Sequence, residues 1–385
     1  MLKSPALCAA LAALAALAAS APGRHPADPP AGVGAGAPEE VVVFAAGKDG
    51  YASFRIPAVV AGAKGTLLAF AEGRKDGPSD DGNVDTVLRR STDGGKTWGP
   101  LRVVADAGAD FVGNPCPVLD RTTGRVWLPL ARKPGRNTAA QSKTGGGAGP
   151  MEVLMLHSDD DGATWSPPEN VTKAVKPDGW TWYVVGPGCG IQLADGRLVL
   201  PCDHRKAGST DSFSHVIVSD DHGKTWRVGG SAAAKTNECQ VAERADGGLV
   251  LNMRSHHGKN RRAVAVSTDR GATWGETTFD DALIDPTCQG SLIRVDVKTG
   301  GGPLFLFSNP ASTKRENLTV RLSRDGGRTW PAARVLYPRA AGYSSLVALP
   351  DDRAGCLYEK DGYATIAFAR FGLGWLAAGR ETPGK

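Results

Sequence analysis

Five segments carry one eight-residue pattern: STDGGKTW (Ser91–Trp98), SDDDGATW (Ser158–Trp165), SDDHGKTW (Ser219–Trp226), STDRGATW (Ser267–Trp274) and SRDGGRTW (Ser323–Trp330). Their starts lie 67, 61, 48 and 56 residues apart. Five matches to Ser-x-Asp-x-Gly-x-Thr-Trp do not arise by chance, so the chain is a repeat protein. Each box reads as a tight turn followed by an anchor. The Ser hydroxyl and Asp carboxylate take backbone N–H groups in Asx- and Ser-type turns. The Gly suits a position with φ > 0. The Trp is large enough to plug the bottom of a small sheet. One Asp in a fixed turn is not a ligand cluster, so the boxes are structural and not metal sites.

Each box ends a longer unit. Before it come an apolar strand, a turn and a second apolar strand, as in RIPAVVAGAKGTLLAF (55–70), PCPVLDRTTGRVWLPL (115–130) and GCGIQLADGRLVL (188–200). A third strand runs into the box and a short fourth follows the Trp. Four antiparallel strands repeated radially make a β-propeller blade. A sixth unit, without a box, begins at Ser344–Leu349 and continues through Tyr363–Ala369. The early strand Glu40–Ala45 is expected to complete it and close the ring. The expected fold is therefore all-β, a six-bladed propeller occupying residues 39–385. In such a blade the boxes share one face of the disc. Starts of first strands and ends of second strands share the other. That second face collects Arg55, Arg74, Asn114, Arg132, His204, Arg205, Glu238, Arg254, Arg315, Tyr343 and Glu359, an Arg-rich set converging on the central axis.

A chain of 385 residues with 50 Gly and few aromatics fits many short strands and turns. The net charge of +5 is small and dispersed, which argues against nucleic-acid binding. Lys3, the Ala/Leu-rich run at 6–19 and the small residues at 19–21 read as a secretory signal peptide over residues 1–21. A Pro/Ala/Gly-rich linker over 22–38 follows. The expected location is secreted or periplasmic, with no transmembrane segment beyond the signal peptide. Disulfides are permitted there, but the six remaining cysteines are widely spaced, match no zinc pattern and read mostly as buried small apolar residues.

Phe54-Arg55-Ile56-Pro57 followed by the repeated boxes resembles the bacterial and animal sialidases, exo-acting glycosidases. Gly113-Asn114-Pro115, Asn237-Glu238-Cys239-Gln240 and Pro286-Thr287-Cys288-Gln289-Gly290 add to the likeness, which covers about residues 40–375. The resemblance implies that Arg55, Arg254 and Arg315 grip the substrate carboxylate, for which planar, permanently charged guanidinium groups are well suited. It implies that Glu359 holds Arg55, that Tyr343 is the nucleophile and that Glu238 is its base. The choice has a physical reason. The anomeric carbon of sialic acid bears a carboxylate, which repels a carboxylate nucleophile but not a neutral phenol. A phenol with a pKa of about 10 then needs a proton acceptor. Sialidases with a Tyr nucleophile are a known exception to the two-carboxylate rule for glycosidases.

The acid for the leaving group is expected on the loop 74–82, where Asp76, Asp80 and Asp81 compete. The family spacing selects Asp80, with Asp81 second, and gives Arg74 a place beside the carboxylate or a sugar hydroxyl. Asn114, Arg132, Trp127, Trp182, Tyr183 and His204 stand as candidates either for holding the N-acyl and glycerol groups or for packing. The implied function is retaining hydrolysis of terminal α-ketosidic sialic acids on glycans, glycoproteins or glycolipids, with no cofactor and no metal. The alternatives are transfer to an acceptor sugar, action on a related keto sugar, and a non-catalytic glycan-binding propeller.

Overall fold

The computed structural model describes residues 36–297 and 302–379, together with Met1. The expected signal peptide and most of the linker lie outside the described residues.

Six four-stranded antiparallel blades surround a central axis. The first comprises Ser53–Ala61, Leu67–Arg74, Val84–Ser91 and Arg102–Ala105. In the second and third the inner strand is broken in two, at Phe111–Gly113 with Val118–Leu119 and at Trp180–Val185 with Ile191–Gln192. The fourth is regular, from Thr236–Glu243 to Thr278–Ile284. The last two share the 18-residue strand Ala332–Leu349. Its first half edges the fifth blade against Glu316–Ser323, and its second half lines the axis against Arg353–Lys360. The sequence places a break before Ser344. The structure shows a continuous strand with a register shift between Ala341 and Ser344, so the turn at Tyr343 is made by a bulge. Glu39–Ala45 pairs antiparallel with Thr365–Gly372 and closes the ring, as the sequence reading expects. Ion pairs from Lys360 to Glu40 and from Arg370 to Glu39 fasten that closure.

All five boxes adopt one geometry. In the first, Asp93 accepts hydrogen bonds from Ser91 Oγ (2.8 Å), Lys96 N (3.0 Å), Thr97 N (3.0 Å) and Thr97 Oγ1 (2.6 Å). Ser91 Oγ in turn accepts from Gly95 N at 2.8 Å. The Thr hydroxyl, then the Thr amide, hold the carboxyls of Asp160 and Asp269 down at about 2. The tryptophans do more than plug their own sheets. Trp98 meets Phe368 of the sixth blade edge-on, Trp165 meets Phe70 of the first, and Trp226 meets Trp127 of the second. Each is a peg between adjacent blades.

The box glycine sits at the same joint. Gly223 has φ +84°, and a Cβ there would lie 2.2 Å from the Trp127 ring. Gly223→Ala combines left-handed backbone strain with overpacking, so it should destabilise the protein by about 2–4 kcal/mol. A shift of the urea midpoint smaller than experimental error would show that the joint yields.

Register separates the two faces. In the first blade Leu67 pairs with Ser91 at the box end, and Arg74 pairs with Val84 at the other. Eight residues at about 3.3 Å each set these ends roughly 25 Å apart. Inner strands are sewn together near the axis by side chains, as where Gln289 Oε1 accepts from Ser344 N and Ser345 Oγ accepts from Val59 N. The six cysteines among the described residues are free thiols, five of them buried.

His204 and His215 form a buried pair within the third blade, Nδ1 to Nδ1 at 3.1 Å. Burial pushes His204 down to about 3 and His215 well below its usual range. Both are therefore neutral when folded and gain protons near pH 6.5 when unfolded. Their contribution is fully present above pH 6.5 and is lost as pH falls from there towards the folded values. At pH 5 the expected loss from His204 is about 2 kcal/mol, and His215 adds to it in the same direction. Urea unfolding at pH 7 and pH 5 measures it, and a flat profile would contradict a neutral pair.

Candidate active site

A cavity of about 230 Å³ opens at the axis on the face opposite the boxes. Its lining includes Arg55, Arg74, Asp80, Asn114, Glu238, Arg254, Arg315 and Tyr343.

Its floor is Glu359, fully buried on Arg353–Lys360. One oxygen accepts from Arg55 Nε at 2.7 Å and from Ile56 N at 2.9 Å. The other accepts from Tyr343 N at 2.9 Å and Arg55 Nη2 at 3.3 Å. A single carboxylate thus joins the inner strands of the first and sixth blades. It also explains the Arg-Ile-Pro signature. Ile56 has φ +59°, a strained conformation for a β-branched residue. The bulge it creates aims Arg55 at the axis and turns the Ile56 N–H onto Glu359. Gly342 leaves room for the carboxylate, since a Cβ there would lie 2.2 Å from Glu359 Oε2.

Above the floor, Tyr343 Oη donates to Glu238 Oε1 at 2.5 Å. Arg254 Nη1 donates to both partners, at 2.7 Å to Glu238 Oε2 and 3.0 Å to Tyr343 Oη. Two guanidinium groups flank the Tyr343 ring closely, with Arg55 Cζ 5.5 Å and Arg315 Cζ 5.4 Å from its centroid. Burial, then the Glu238 carboxylate, raise the phenol well above its usual range, while Arg254 and Arg315 pull it down. In the resting pocket the proton therefore stays on Tyr343, hydrogen-bonded to the group that would take it.

The loop 74–83 forms the rim. Arg74 is held by buried Glu72 (Nε to Oε2, 3.0 Å) and extends Nη2 to Asp80 Oδ1 at 2.9 Å. Glu72 repeats the role of Glu359, since its other oxygen captures the N–H of Asn114, a residue at φ +55°. The three loop acids separate. Asp80 faces the cavity. Asp81 turns away, accepting from Lys133 Nζ at 2.7 Å and Ala139 N at 2.8 Å. Asp76 accepts from Asn83 N within the loop. Desolvation lifts the Asp80 pKa, but Arg74 and then Arg55 outweigh it and leave the carboxyl below the ordinary aspartate range.

Of the softer candidates, Asn114 and Trp182 line the cavity. Four do not. Trp127 packs between blades and donates to His222 O, while Tyr183 and His204 are buried in the third blade. Arg132 pairs with Asp110 and Glu152. Alternation decides this. Side chains two apart share a strand face, so Trp182 and Val184 face the cavity while Tyr183 and Val185 enter the blade core. Tyr363 is a residue the sequence reading missed. It sits in a turn at φ +71°, its ring lies 3.9 Å from Arg55 Cζ, and its hydroxyl accepts from Arg315 Nη1 at 2.9 Å. The Asp361-Gly362 pair before it signals a turn, but nothing local points it at the axis.

Comparison with known proteins places the chain in a family. Residues 65–358 match the family described as BNR repeat-like domain. The chain is 39% identical to a sialidase of Bacteroides fragilis over 82% of its own length and 61% of that protein's. It is 34% identical to an exo-alpha-sialidase of Aspergillus fumigatus over 86% of each chain. The solved structure of a Hadza microbial sialidase superposes with a TM-score of 0.81 at 34% identity, covering 87% of this chain and 68% of that one. A six-bladed propeller with an arginine-lined axial pocket is the class that fold and site define. The chain belongs to the sialidase family. It spans about three fifths of the length of the Bacteroides relative.

Proposed function

We propose that this protein is an exported exo-α-sialidase that releases terminal sialic acids from glycoconjugates with retention of configuration. The observation that carries the reading is the 2.5 Å hydrogen bond from Tyr343 Oη to Glu238, bridged by Arg254, at the base of a pocket lined by Arg55, Arg254 and Arg315 among other cations. Arg55, Arg254 and Arg315 receive the substrate carboxylate and thereby place the anomeric carbon over the phenol oxygen. Glu238 accepts the phenolic proton as that oxygen bonds to the anomeric carbon. The glycosidic bond breaks, and Asp80 gives its proton to the departing oxygen. Water deprotonated by Asp80 then attacks the tyrosyl-bound sugar, and the phenolic oxygen leaves with the proton returned from Glu238.

The acid role needs a proton that Arg74 and Arg55 disfavour, because their charges hold the Asp80 carboxyl below its ordinary range. Substrate binding reverses this. A carboxylate placed among the arginines cancels part of their field, and a nearby anion raises a carboxyl pKa. Docking of the substrate therefore arms the acid. Export is supported by the apolar, Ala/Leu-rich segment that follows Lys3.

Release of a fluorogenic aryl product from an α-sialoside by the wild-type protein tests the reading. Absence of turnover by folded protein would sink it. Asp80→Asn sharpens the test. It should lower kcat/KM on sialyllactose by about 10²–10⁴-fold, and much less on an aryl sialoside whose leaving group needs no proton. Equal losses on both would remove Asp80 from the acid role.

A further inference from the structure

The arginine cluster accounts for one anion, and Arg74 and Lys133 are paired with carboxylates, yet the cavity wall carries two further cations, Lys143 and Arg205. Among the described residues, neither lies within ion-pairing distance of a carboxylate. Both are held in place. Lys143 belongs to the short helix Ala139–Thr144, which begins in a capping box between Thr138 and Gln141. The helix is pinned at Ala139 N by Asp81 and at Lys143 O by Thr181 Oγ1, each at 2.8 Å. The Lys143 ammonium lies 5.1 Å from the centre of the Trp182 ring. Arg205 spends its Nε on Ser212 Oγ at 2.9 Å, which leaves its terminal amino groups uncommitted. Asp203 is a carboxyl on the same cavity wall. It is buried on the same strand, receives Trp182 Nε1 at 3.1 Å, and is pushed well above the ordinary range by burial and then by Glu238. Lys143 is depressed by desolvation and then by Arg205, which outweigh the opposing pull of Asp203. Two fixed cations on a partly desolvated wall repel each other until an anion arrives.

We propose that Lys143 and Arg205 form a second anion subsite, so that the preferred substrates carry a second negative charge besides the carboxylate of the scissile sugar. This rests on the sialidase reading and extends it to substrate class. Two sources supply the charge. It is carried either by the leaving group, as the carboxylate of an inner sialic acid, or by the terminal sugar itself, as a sulfate on its polyol tail. Hydrogen bonds to charged groups are about twice as strong as neutral ones, and a guanidinium offers them in pairs. The contribution is therefore large enough to read in kcat/KM.

The test compares wild type, Lys143→Met and Arg205→Met at low ionic strength on three substrates. These are α2,3-sialyllactose with one charge, α2,8-disialyllactose with the second charge on the leaving group, and sialyllactose sulfated on the tail of its terminal sugar. The quantity read is the ratio of kcat/KM on each doubly charged substrate to that on the singly charged one, within each protein. Linkage alone sets part of this ratio, so its change on mutation is diagnostic. The expected result is a fall of about fivefold to twentyfold in one of the two ratios in either variant, with added salt producing a similar fall in wild type. Whichever ratio falls locates the anion. Ratios unchanged in both variants, with wild type active, overturn the second subsite alone. If folded wild type hydrolyses none of the three, the sialidase reading and this inference fall together.

Discussion

Tyr343→Phe removes turnover of sialosides, lowering kcat by about 10³-fold or more, while the protein unfolds at nearly the same urea concentration as wild type. The substitution deletes one oxygen. Glu238 keeps its 2.7 Å bond from Arg254, so no buried charge is orphaned and the stability cost stays near about 1 kcal/mol. The arginines are untouched, so a sialic acid analogue should still bind within a few-fold of its wild-type affinity. This separation of binding from turnover distinguishes a nucleophile from a wall of the pocket. A Phe variant that keeps a tenth of wild-type kcat would remove the covalent step from the mechanism. Mass spectrometry of wild type quenched with a slow fluorinated sialoside gives an independent reading, since the adduct should map to the peptide containing Tyr343.

Glu359→Gln acts through stability as well as chemistry. The carboxylate accepts from the Arg55 guanidinium and from two backbone N–H groups, those of Ile56 and Tyr343. All of these are donors. A glutamine amide offers one accepting oxygen and one donating NH₂, so half of the site becomes donor facing donor. The buried Arg55 charge also loses its counter-ion. Breaking one partner of a buried ion pair costs about 3–5 kcal/mol, and the φ +59° bulge at Ile56 loses the contact that holds it. Urea denaturation should show a loss in that range, and kcat/KM should fall because Arg55 is no longer aimed. Less than about 1 kcal/mol of destabilisation would show that Arg55 and the bulge are held by something other than Glu359.

Much of this architecture is legible in the chain. The boxes define the blades because a turn built on Ser, Asp, Gly and Thr is a local structure whose hydrogen bonds close within five residues. Strand order then assigns the two faces, and that alone brings Arg55, Arg254, Arg315, Glu238 and Tyr343 to one end of the axis. The reading weakens where a choice depends on which side of a strand faces the cavity. Trp182 and Tyr183 are adjacent, yet only Trp182 reaches the cavity. His204 lies between Asp203 and Arg205, both of which line it, and instead packs on His215. A one-residue difference in register reverses every such assignment, and bulges set that register.

By itself the sequence determined the number of blades, the closing strand and the residue types gathered at the axis, since these follow from repeated local turns and chain order. Tertiary structure alone decided how those residues are used. It separated Asp80 from Asp81 by giving Asp81 to Lys133 and the helix behind it. It brought Tyr363 onto Arg55 and Arg315 from a turn whose local signal does not point it at the axis, and among the described residues it left Lys143 and Arg205 without an ion-pair partner on the cavity wall. Those outcomes depend on contacts between blades distant in the chain. Whether a charge is paired, desolvated or left facing a cavity is set by its neighbours in space, which no local pattern specifies.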